Sequence, residues 1–197
     1  MGCTDCRLHR VEAFFVTSNH DKAREAAEIL GADLHTASLD LSEPQGLDVM
    51  QVASAKAAAA RGALGNPDYP VLTEDSGIIF EAWYGLPGAL TRWFLESVGK
   101  EGLLKMLSAY EDRSARAVCA VAVAATDGSV RTFLGEVGGT IAHEPRGSEG
   151  FGWDPIFIPE GLEYTYAELG KEKHVDSHRA RALRAAHLGL EFPPLGQ

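Results

Sequence analysis

The chain has 197 residues, of which 45% are hydrophobic and 23% charged, so it is long enough for one folded domain and too apolar for a disordered chain. The 18 basic and 28 acidic residues give a net charge of −10, which disfavours nucleic acid as a partner and requires any anionic ligand to find a local basic pocket. Because the longest stretch without a charge or a turn residue, at 117–126, is about half the length of a membrane span, no membrane association is expected and the predicted location is cytoplasmic.

Runs of β-branched and aromatic residues, bounded by turn residues, predict the strands. These are residues 11–16, 34–39, 71–74, 78–83, 115–126, 130–141 and 156–158. The strand over 71–74 is predicted to end at Asp75-Ser76-Gly77, and Asp127-Gly128 is typical of a hairpin turn.

Apolar residues at helical spacing predict the helices, with Gly31 as a stop signal, Pro87 at a first helical position and Ser177 as a cap. The helices are residues 22–30, 49–64, 87–98, 102–110 and a final helix that Ser177 caps and that ends near residue 188.

Strands and helices interleave, which predicts an α/β fold with a mixed β-sheet. We expect a single domain over 11–190, an N-terminal extension over 1–10 and a C-terminal tail over 191–197. The odd count of three cysteines, Cys3, Cys6 and Cys119, argues against a disulfide framework. Cys3 and Cys6 have CxxC spacing, but the chain has no second pair to complete a zinc site, so a plain tail is favoured over a metal or redox role.

The first candidate site follows the first predicted strand and opens the first predicted helix. Backbone N–H groups at a helix N-terminus attract anions, short polar side chains add donors, and a lysine in the first turn adds a full charge. An ordinary helix cap with a solvated lysine is the alternative. The candidate residues are Thr17, Ser18, Asn19, His20, Asp21 and Lys22.

The second candidate site is the carboxylate pair Glu74 and Asp75, which follows an apolar stretch where burial of charge is costly. Neighbouring strand residues point to opposite faces, so at most one of the two faces a given pocket unless the strand ends there. A divalent cation would relieve the repulsion, with Glu43 as a candidate second ligand from another loop. Mg²⁺ prefers such hard oxygen ligands, completed by phosphates and waters. A surface acidic turn is the alternative.

Two later segments, 145–155 and 173–179, carry residue types suited to a nucleotide. In the first, glycines allow close approach and Phe151 and Trp153 offer flat faces for a base, unless these rings only cover the core. In the second, His178 and Arg179 place cations at a helix N-terminus, where they oppose the helix dipole and indicate a nearby anion or carbonyl group. A solvated basic turn is the alternative there.

In this order, the four segments resemble the inosine triphosphate pyrophosphatase family, from about Phe14 to Leu183. The resemblance is strongest at Gly150-Phe151-Gly152-Trp153-Asp154-Pro155 and Ser177-His178-Arg179, and residues 40–46 and 93–96 look closer to the eukaryotic-type branch than to the bacterial one. It implies an elongated mixed β-sheet flanked by helices, two lobes with a central nucleotide cleft, and a homodimer.

The resemblance also implies an activity, the hydrolysis of aberrant purine nucleoside triphosphates (ITP, dITP, XTP) to the monophosphate and pyrophosphate with Mg²⁺. Carried over by position, Glu43 and Asp75 hold the metal, Asp75 orients or activates the attacking water, and residues 17–22 hold the triphosphate with help from Lys56. Asp75, Lys22 and Glu43 are the implied catalytic residues. The remaining implied nucleotide contacts are Ser76, Arg92, Phe151, Gly152, Trp153, Asp154, Lys173, His178 and Arg179.

Two positions depart from the family pattern. Ser18 stands where the phosphate loop usually has Gly, so Ser18 is strained if that position needs a positive φ. The acidic pair is Glu74-Asp75, where Asp-Asp is frequent in the family.

Arginine suits the O6/N7 edge of a purine, which makes Arg179 the expected donor to O6. Two other functions stay open, namely a pyrophosphatase of other modified nucleotides and a nucleotide-binding regulatory module without turnover.

Overall fold

A computed structural model describes residues 13–31, 34–41 and 44–191, which form a β-sheet with helices on both faces. The predicted extension with Cys3 and Cys6 and the tail beyond residue 191 lie outside the described residues. No helix in the described ranges is both long enough and apolar enough to cross a membrane. The elements are β1 (Phe14–Val16), α1 (His20–Leu30), β2 (His35–Ala37), α2 (Val49–Ala63), β3 (Val71–Phe80), β4 (Pro87–Gly88), α3 (Thr91–Leu107), β5 (Ser114–Ala124), β6 (Val130–Ile141), β7 (Phe157–Pro159), α4 (Tyr166–Leu169) and α5 (His178–Glu191).

The described strands make one seven-stranded sheet in the order β2-β1-β3-β5-β6-β7, with β4 paired to β3. β1 runs parallel to β2 and β3, and the other pairs are antiparallel. This confirms the predicted mixed α/β fold. The hairpin between β5 and β6 is also confirmed, because Ala124 pairs with Val130 across Asp127-Gly128.

Small residues allow α2 to lie close to the sheet. Ala53, Ala57 and Ala60 recur along one face of α2, and they share a buried cluster with Ala120 and Ala122 of β5. Each methyl group removed from water contributes modestly, but the close approach lets backbone atoms of both elements pack without voids. The opposite face of the sheet is covered by α1 and α5.

Cys119 lies in the cluster beneath α1 and α5 and is completely buried. Burial raises the pKa of its thiol well above the ordinary value. A thiol that stays protonated is a poor nucleophile, so Cys119 acts as a small core residue.

The sequence prediction of two strands over 71–74 and 78–83 is wrong, because β3 runs without a break from Val71 to Phe80. Every residue of β3 pairs with a residue of β5, and this long antiparallel partner overrides the local turn signal of Asp75-Ser76-Gly77. Gly77 is required for a different reason, since a Cβ there would lie 2.1 Å from the carbonyl oxygen of Gly88.

The helix predicted from Pro87 instead begins at Thr91. Pro87 and Gly88 pair with Ile79 and Ile78 of β3, so they extend the sheet before the chain turns into α3. The two helices predicted over 87–98 and 102–110 form one element interrupted at Gly99, whose φ is +69°. The predicted break is therefore present as a kink.

The position of α5 depends on Gly135 in β6. A Cβ at Gly135 would lie 2.0 Å from the backbone oxygen of His178 and 2.5 Å from the backbone nitrogen of Ala182, so a side chain there would push α5 off the sheet. We expect Gly135→Ala to lower the free energy of unfolding by about 2 kcal/mol or more. Urea denaturation followed by circular dichroism measures this.

Gly62→Ala is the matched control for this change. Gly62 lies in α2, where an added Cβ would meet no neighbouring atom within 4 Å, and alanine is the better helix former, so a gain of up to about 1 kcal/mol is expected. Equal stability of the two variants would show that α5 does not rest on Gly135.

Candidate active site

A cavity of about 650 Å³ opens beside the middle of β3. β1 ends at Val16, opposite Thr73, whereas β3 continues and next pairs on that side with β4 at Ile78. Within the described residues, the part of β3 between these pairings has no strand neighbour on that edge, and the cavity borders it. The walls come from the β1–α1 turn, α2, α3 and the loop 151–153.

The turn between β1 and α1 forms one end of the cavity. Asn19 caps α1, because its side-chain oxygen accepts hydrogen bonds from the backbone N–H groups of Asp21 (2.9 Å) and Lys22 (3.1 Å). Thr17 accepts one from the N–H of Asn19 (3.1 Å), which shapes the turn. A helix N-terminus and the ammonium group of Lys22 thus lie at the same end, an arrangement that favours an anion.

Ser18 carries no backbone strain. Among the described non-glycine residues only Asn66 and Tyr84 have a positive φ, so the condition under which Ser18 would be strained is not met. The hydroxyl-bearing residue is accommodated in an ordinary backbone conformation, and the departure from the family glycine has no conformational cost here.

The two carboxylates of β3 point to opposite faces, as strand alternation requires. Asp75 lines the cavity and is 9% exposed. The side chain of Glu74 is completely buried on the other face, toward α1 and α5. From α2, Lys56 also lines the cavity, and its ammonium group lies 3.4 Å from the carbonyl oxygen of Glu74.

Behind the cavity wall, and reaching it at Lys22, is a group of charged side chains that are buried except for Lys22, here called the buried ion cluster. Three carboxylates and three cations make it up, and their short contacts link α1, β3, α5 and the segments before and after α4. Its members are Lys22, Glu25, Glu74, Asp154, Lys173 and Arg179.

Lys173 and Arg179 are the two cations at the centre of the buried ion cluster. The Lys173 ammonium group lies 2.6 Å from both Glu25 and Asp154. The Arg179 guanidinium donates to both oxygens of Glu74, at 2.8 to 3.1 Å, to Glu25, and to the hydroxyl of Ser76 at 3.3 Å. Such paired geometry is what lets charges stay ionised away from water.

The pKa values of the cluster carboxyls reflect these contacts. Burial by itself would raise the pKa of Glu74, but the charges of Arg179 and Lys22 outweigh it and hold that pKa far below the usual range. Burial would likewise raise the pKa of Glu25, and Arg179 and Lys173 lower it overall. For Asp154 burial prevails and the pKa is raised, although Lys173 opposes the shift.

Aromatic side chains form another part of the cavity wall, where Phe151, Gly152 and Trp153 line it. Asp154 shapes this loop by accepting a hydrogen bond from the N–H of Phe151 at 2.9 Å. The Phe151 ring has the Arg179 guanidinium 5.4 Å from its centre. The Phe151 ring is therefore held from behind by charged residues, whereas Trp153 is 7% exposed, packs in the hydrophobic core and borders the cavity with only part of its surface.

His178 lies behind this aromatic wall and is 2% exposed. Its ring is 5.1 Å from that of Trp153 and 5.8 Å from that of Tyr166. Burial, and next the charge of Arg179, lower the pKa of His178 well below its ordinary value, so the ring is neutral. Neither ring nitrogen has a hydrogen-bond partner within the described residues.

The structure thus divides the predicted site residues into two groups. Those that line the cavity are Thr17, Ser18, Asn19, His20, Asp21, Lys22, Lys56, Asp75, Ser76, Arg92, Phe151, Gly152 and Trp153. Those that lie buried behind its wall are Asp154, Lys173, His178 and Arg179. Glu43 lies outside the described residues.

The placement of Arg179 differs from the expectation that it donates directly to O6 of a base. Its side chain is 3% exposed, and its donors are directed at Glu74, Glu25 and Ser76. The physical reason is the first-turn position on α5, which directs the side chain under the sheet toward buried carboxylates.

Some residues at the site were not recognised in the sequence. Thr73 is two residues before Asp75, and the strand period of two places it on the same face. Glu25 is three residues after Lys22, and helical spacing places both on one side of α1. Further wall residues that were not among the predicted site residues are Leu39, Leu41, Thr91, Leu95 and Glu96.

The donor set within the described residues offers limited support for a metal. No group of three or more His, Cys, Asp and Glu side chains there is arranged to hold an ion. Asp75 nevertheless supplies a hard carboxylate oxygen at the cavity, and Mg²⁺ commonly takes only one or two protein carboxylates together with substrate phosphates. The residues present therefore fit an ion that arrives with a polyphosphate.

Comparison with known proteins finds one family and several related proteins that this chain resembles over most of its length. Residues 13–187 match the Ham1 family. The dITP/XTP pyrophosphatase of Methanopyrus kandleri is 42% identical over 177 residues, which cover 88% of this chain and 93% of that protein. The inosine triphosphate pyrophosphatase of Yarrowia lipolytica is 45% identical over 174 residues, covering 86% and 90%.

Two bacterial structures share the fold. The Ham1 protein of Staphylococcus aureus has a TM-score of 0.76 and 30% identity, covering 91% of this chain and 98% of its own. A HAM1 protein of Coxiella burnetii has a TM-score of 0.77 and 30% identity, covering 92% and 98%. The fungal protein, at 45% identity, is more similar to this chain than these two bacterial proteins are, at 30%, which agrees with the resemblance to the eukaryotic-type branch.

Proposed function

The chain belongs to the Ham1 family, and on that premise we propose that it hydrolyses aberrant purine nucleoside triphosphates (ITP, dITP and XTP) to the monophosphate and pyrophosphate. One observation carries the proposal, namely that the same cavity is lined by a helix N-terminus with Lys22 and Lys56, here called the phosphate end, and by Phe151 and Trp153, here called the base end. A nucleotide carries the two matching chemistries, because its phosphate chain is anionic and its base is flat. The names of the related proteins give the same class of substrate.

The phosphate chain would lie against the N-terminus of α1. Lys22 and Lys56 line this end and would neutralise charge that develops on the departing pyrophosphate. Phosphoryl chemistry requires mainly positioning and charge stabilisation, and both are supplied by preorganised groups. Arg92, on α3, also lines the cavity and would face the phosphate chain of the nucleotide.

Asp75 and Glu43 would hold Mg²⁺, which when bound supplies charge neutralisation of the phosphate oxygens. Asp75 is also the proposed base. It would accept a proton from the water that attacks the α-phosphorus, while the bond from that phosphorus to the oxygen bridging to the β-phosphorus breaks. Pyrophosphate then leaves with both electrons of that bond, and the monophosphate stays briefly at the aromatic end.

Selection of the base would take place at the aromatic end. Hypoxanthine and xanthine carry an acceptor at O6, whereas adenine carries an amino donor there, so a site built on donors can reject adenine by about 10⁴-fold. We propose that Arg179, with Lys173, His178 and Asp154, sets this end of the cavity from behind Phe151 and Trp153. Assembly as a homodimer and a cytoplasmic location stay predictions.

A pyrophosphate-release assay tests the proposal. With Mg²⁺ present, kcat/KM for ITP, dITP and XTP is expected to exceed that for ATP by about 10³-fold or more, and release without a divalent cation is expected to be negligible. The panel includes dUTP and methylated pyrimidine triphosphates.

Each alternative predicts a different result from the same panel. Preference for a pyrimidine triphosphate would support a pyrophosphatase of other modified nucleotides. Binding of ITP with no release of pyrophosphate would support a regulatory module. Either result would contradict the proposed activity.

A further inference from the structure

Glu74 is an unusual residue to find beside a site for a polyanion. It is a completely buried carboxylate in β3, adjacent in sequence to Asp75, yet its side chain lies on the opposite face and does not line the cavity. A buried negative charge near a phosphate site weakens the binding of anions there. The presence of Glu74 therefore calls for a separate role. The contacts of Glu74 indicate what that is.

Glu74 contacts Lys22, which lines the cavity, and Arg179, which lies behind the ring of Phe151. At the phosphate end, its Oε1 lies 3.2 Å from the ammonium group of Lys22. At the aromatic end, both of its oxygens accept hydrogen bonds from Arg179, at 2.8 to 3.1 Å. Arg179 in turn lies under the ring of Phe151. A single carboxylate therefore stands between the phosphate lysine and the support of the stacking surface.

The charges of the buried ion cluster balance, with three carboxylates against three cations. Of the six members, Lys22 also lines the cavity. A polyphosphate at the start of α1 would offer Lys22 a second counter-charge. Arg179 would then be the main partner of Glu74, and the contact between Arg179 and Glu25 would stay in place.

We propose that Glu74 is a positioning residue that couples the two ends of the active site, by holding Lys22 at the phosphate end and Arg179 beneath Phe151 at the base end. This inference rests on the proposed function, since it assigns a role within the same site. It separates the two acidic neighbours, because Asp75 faces the substrate and Glu74 faces the residues that arrange the site.

A role as a metal ligand predicts different behaviour for Glu74. Its two oxygens already accept hydrogen bonds from Arg179 and contact Lys22, and they point away from the cavity wall that Asp75 lines. Removal of a metal ligand raises the Mg²⁺ concentration needed for activity. Removal of a positioning residue on the other face leaves that requirement unchanged.

The experiment is Glu74→Gln, with ligand binding measured by calorimetry on the full chain. Inorganic pyrophosphate probes the phosphate end. The ratio of the dissociation constants of AMP and IMP probes the base end, because the shared phosphate and ribose cancel in it.

We expect two opposite effects of Glu74→Gln. Pyrophosphate is expected to bind about fivefold more tightly, because a buried negative charge is removed and Lys22 is released. The preference for IMP over AMP is expected to fall about tenfold, because Arg179 loses the carboxylate that holds it beneath Phe151 and the base end loses its preorganised shape. The Mg²⁺ concentration for half-maximal activity is expected to stay within twofold of wild type.

Glu28→Gln is the matched control. Glu28 is on the same helix as Lys22 and contacts Lys171 and His174 at the outer side of the cluster, and its side chain is 30% exposed. Both probes are expected to bind Glu28→Gln as they bind wild type.

A second pair of variants covers the case in which Glu74→Gln does not fold. Lys22→Gln keeps Glu74 on Arg179, so the IMP preference is expected to remain. The double variant Lys22→Gln/Glu74→Gln keeps the cluster balanced with two carboxylates and two cations, and the IMP preference is expected to be lost. Loss of the IMP preference in the double variant alone identifies Glu74, and not Lys22, as the residue that holds the base end.

Three results would overturn the inference. The first is weaker binding of pyrophosphate, IMP and AMP by a similar factor. The second is unchanged binding of all three ligands, and the third is a raised Mg²⁺ requirement. The proposed function fails separately, if the wild-type chain binds IMP no better than AMP or releases no pyrophosphate from ITP.

Discussion

Asp75→Asn is expected to lower kcat for ITP by about 10³-fold or more while the protein remains folded. Asp75 is the described carboxylate of β3 that faces the cavity, where it can accept a proton and supply an oxygen to Mg²⁺. Loss of a general base alone costs about 10²- to 10⁴-fold. Asparagine has nearly the same shape but accepts no proton at neutral pH, so the effect on rate is separated from the effect on packing.

The measurement is pyrophosphate release at saturating ITP and Mg²⁺, together with a thermal melt. Asp68→Asn is the control, because Asp68 is an aspartate that does not line the cavity, and it is expected to behave as wild type. Activity of Asp75→Asn close to wild type would remove Asp75 from the mechanism.

Lys22→Ala is expected to lower kcat for ITP by about 10²-fold, with a much smaller effect on stability. Removing one preorganised group that stabilises developing charge typically has an effect of this size. The side chain is 16% exposed and reaches both the cavity and Glu74. Glu74 keeps its hydrogen bonds to Arg179 in the variant, which limits the loss of stability.

Steady-state kinetics and urea denaturation test this prediction, with Lys105→Ala as the control cation. Lys105 is an exposed lysine near the end of α3. Equal kinetics of Lys22→Ala and wild type would mean that Lys22 serves the buried ion cluster and not the reaction. A loss of unfolding free energy as large as the loss of rate expressed as an activation free energy would mean that Lys22 serves the fold.

Much of the fold was predictable because its signals are local. Alternating residues and a turn signal predicted the β5–β6 hairpin, and the β6 bounds agree with the prediction over 130–141. The alanine-rich pattern of α2 agrees to within one residue. The errors at β3 and at the start of α3 arose where pairing with a distant strand decided the conformation of a short segment.

The candidate site was predicted as four segments, and the structure brings three of them to the cavity wall. The fourth, at 173–179, lies behind the wall. Strand alternation predicted that at most one of Glu74 and Asp75 faces a pocket, but it did not identify which, because the period of two is unchanged when the two faces are exchanged. The choice depends on which helices cover each face.

By itself, the sequence determined the α/β class, the order of most elements and the motifs that identify a nucleotide site, because these depend on interactions among residues close in the chain. The tertiary structure alone decided that Asp75 faces the cavity while Glu74 joins Lys22 and Arg179 behind it. Glu74 and Arg179 are 105 residues apart in the chain. A contact of that kind depends on how sheet and helices pack, and local patterns carry no information about it.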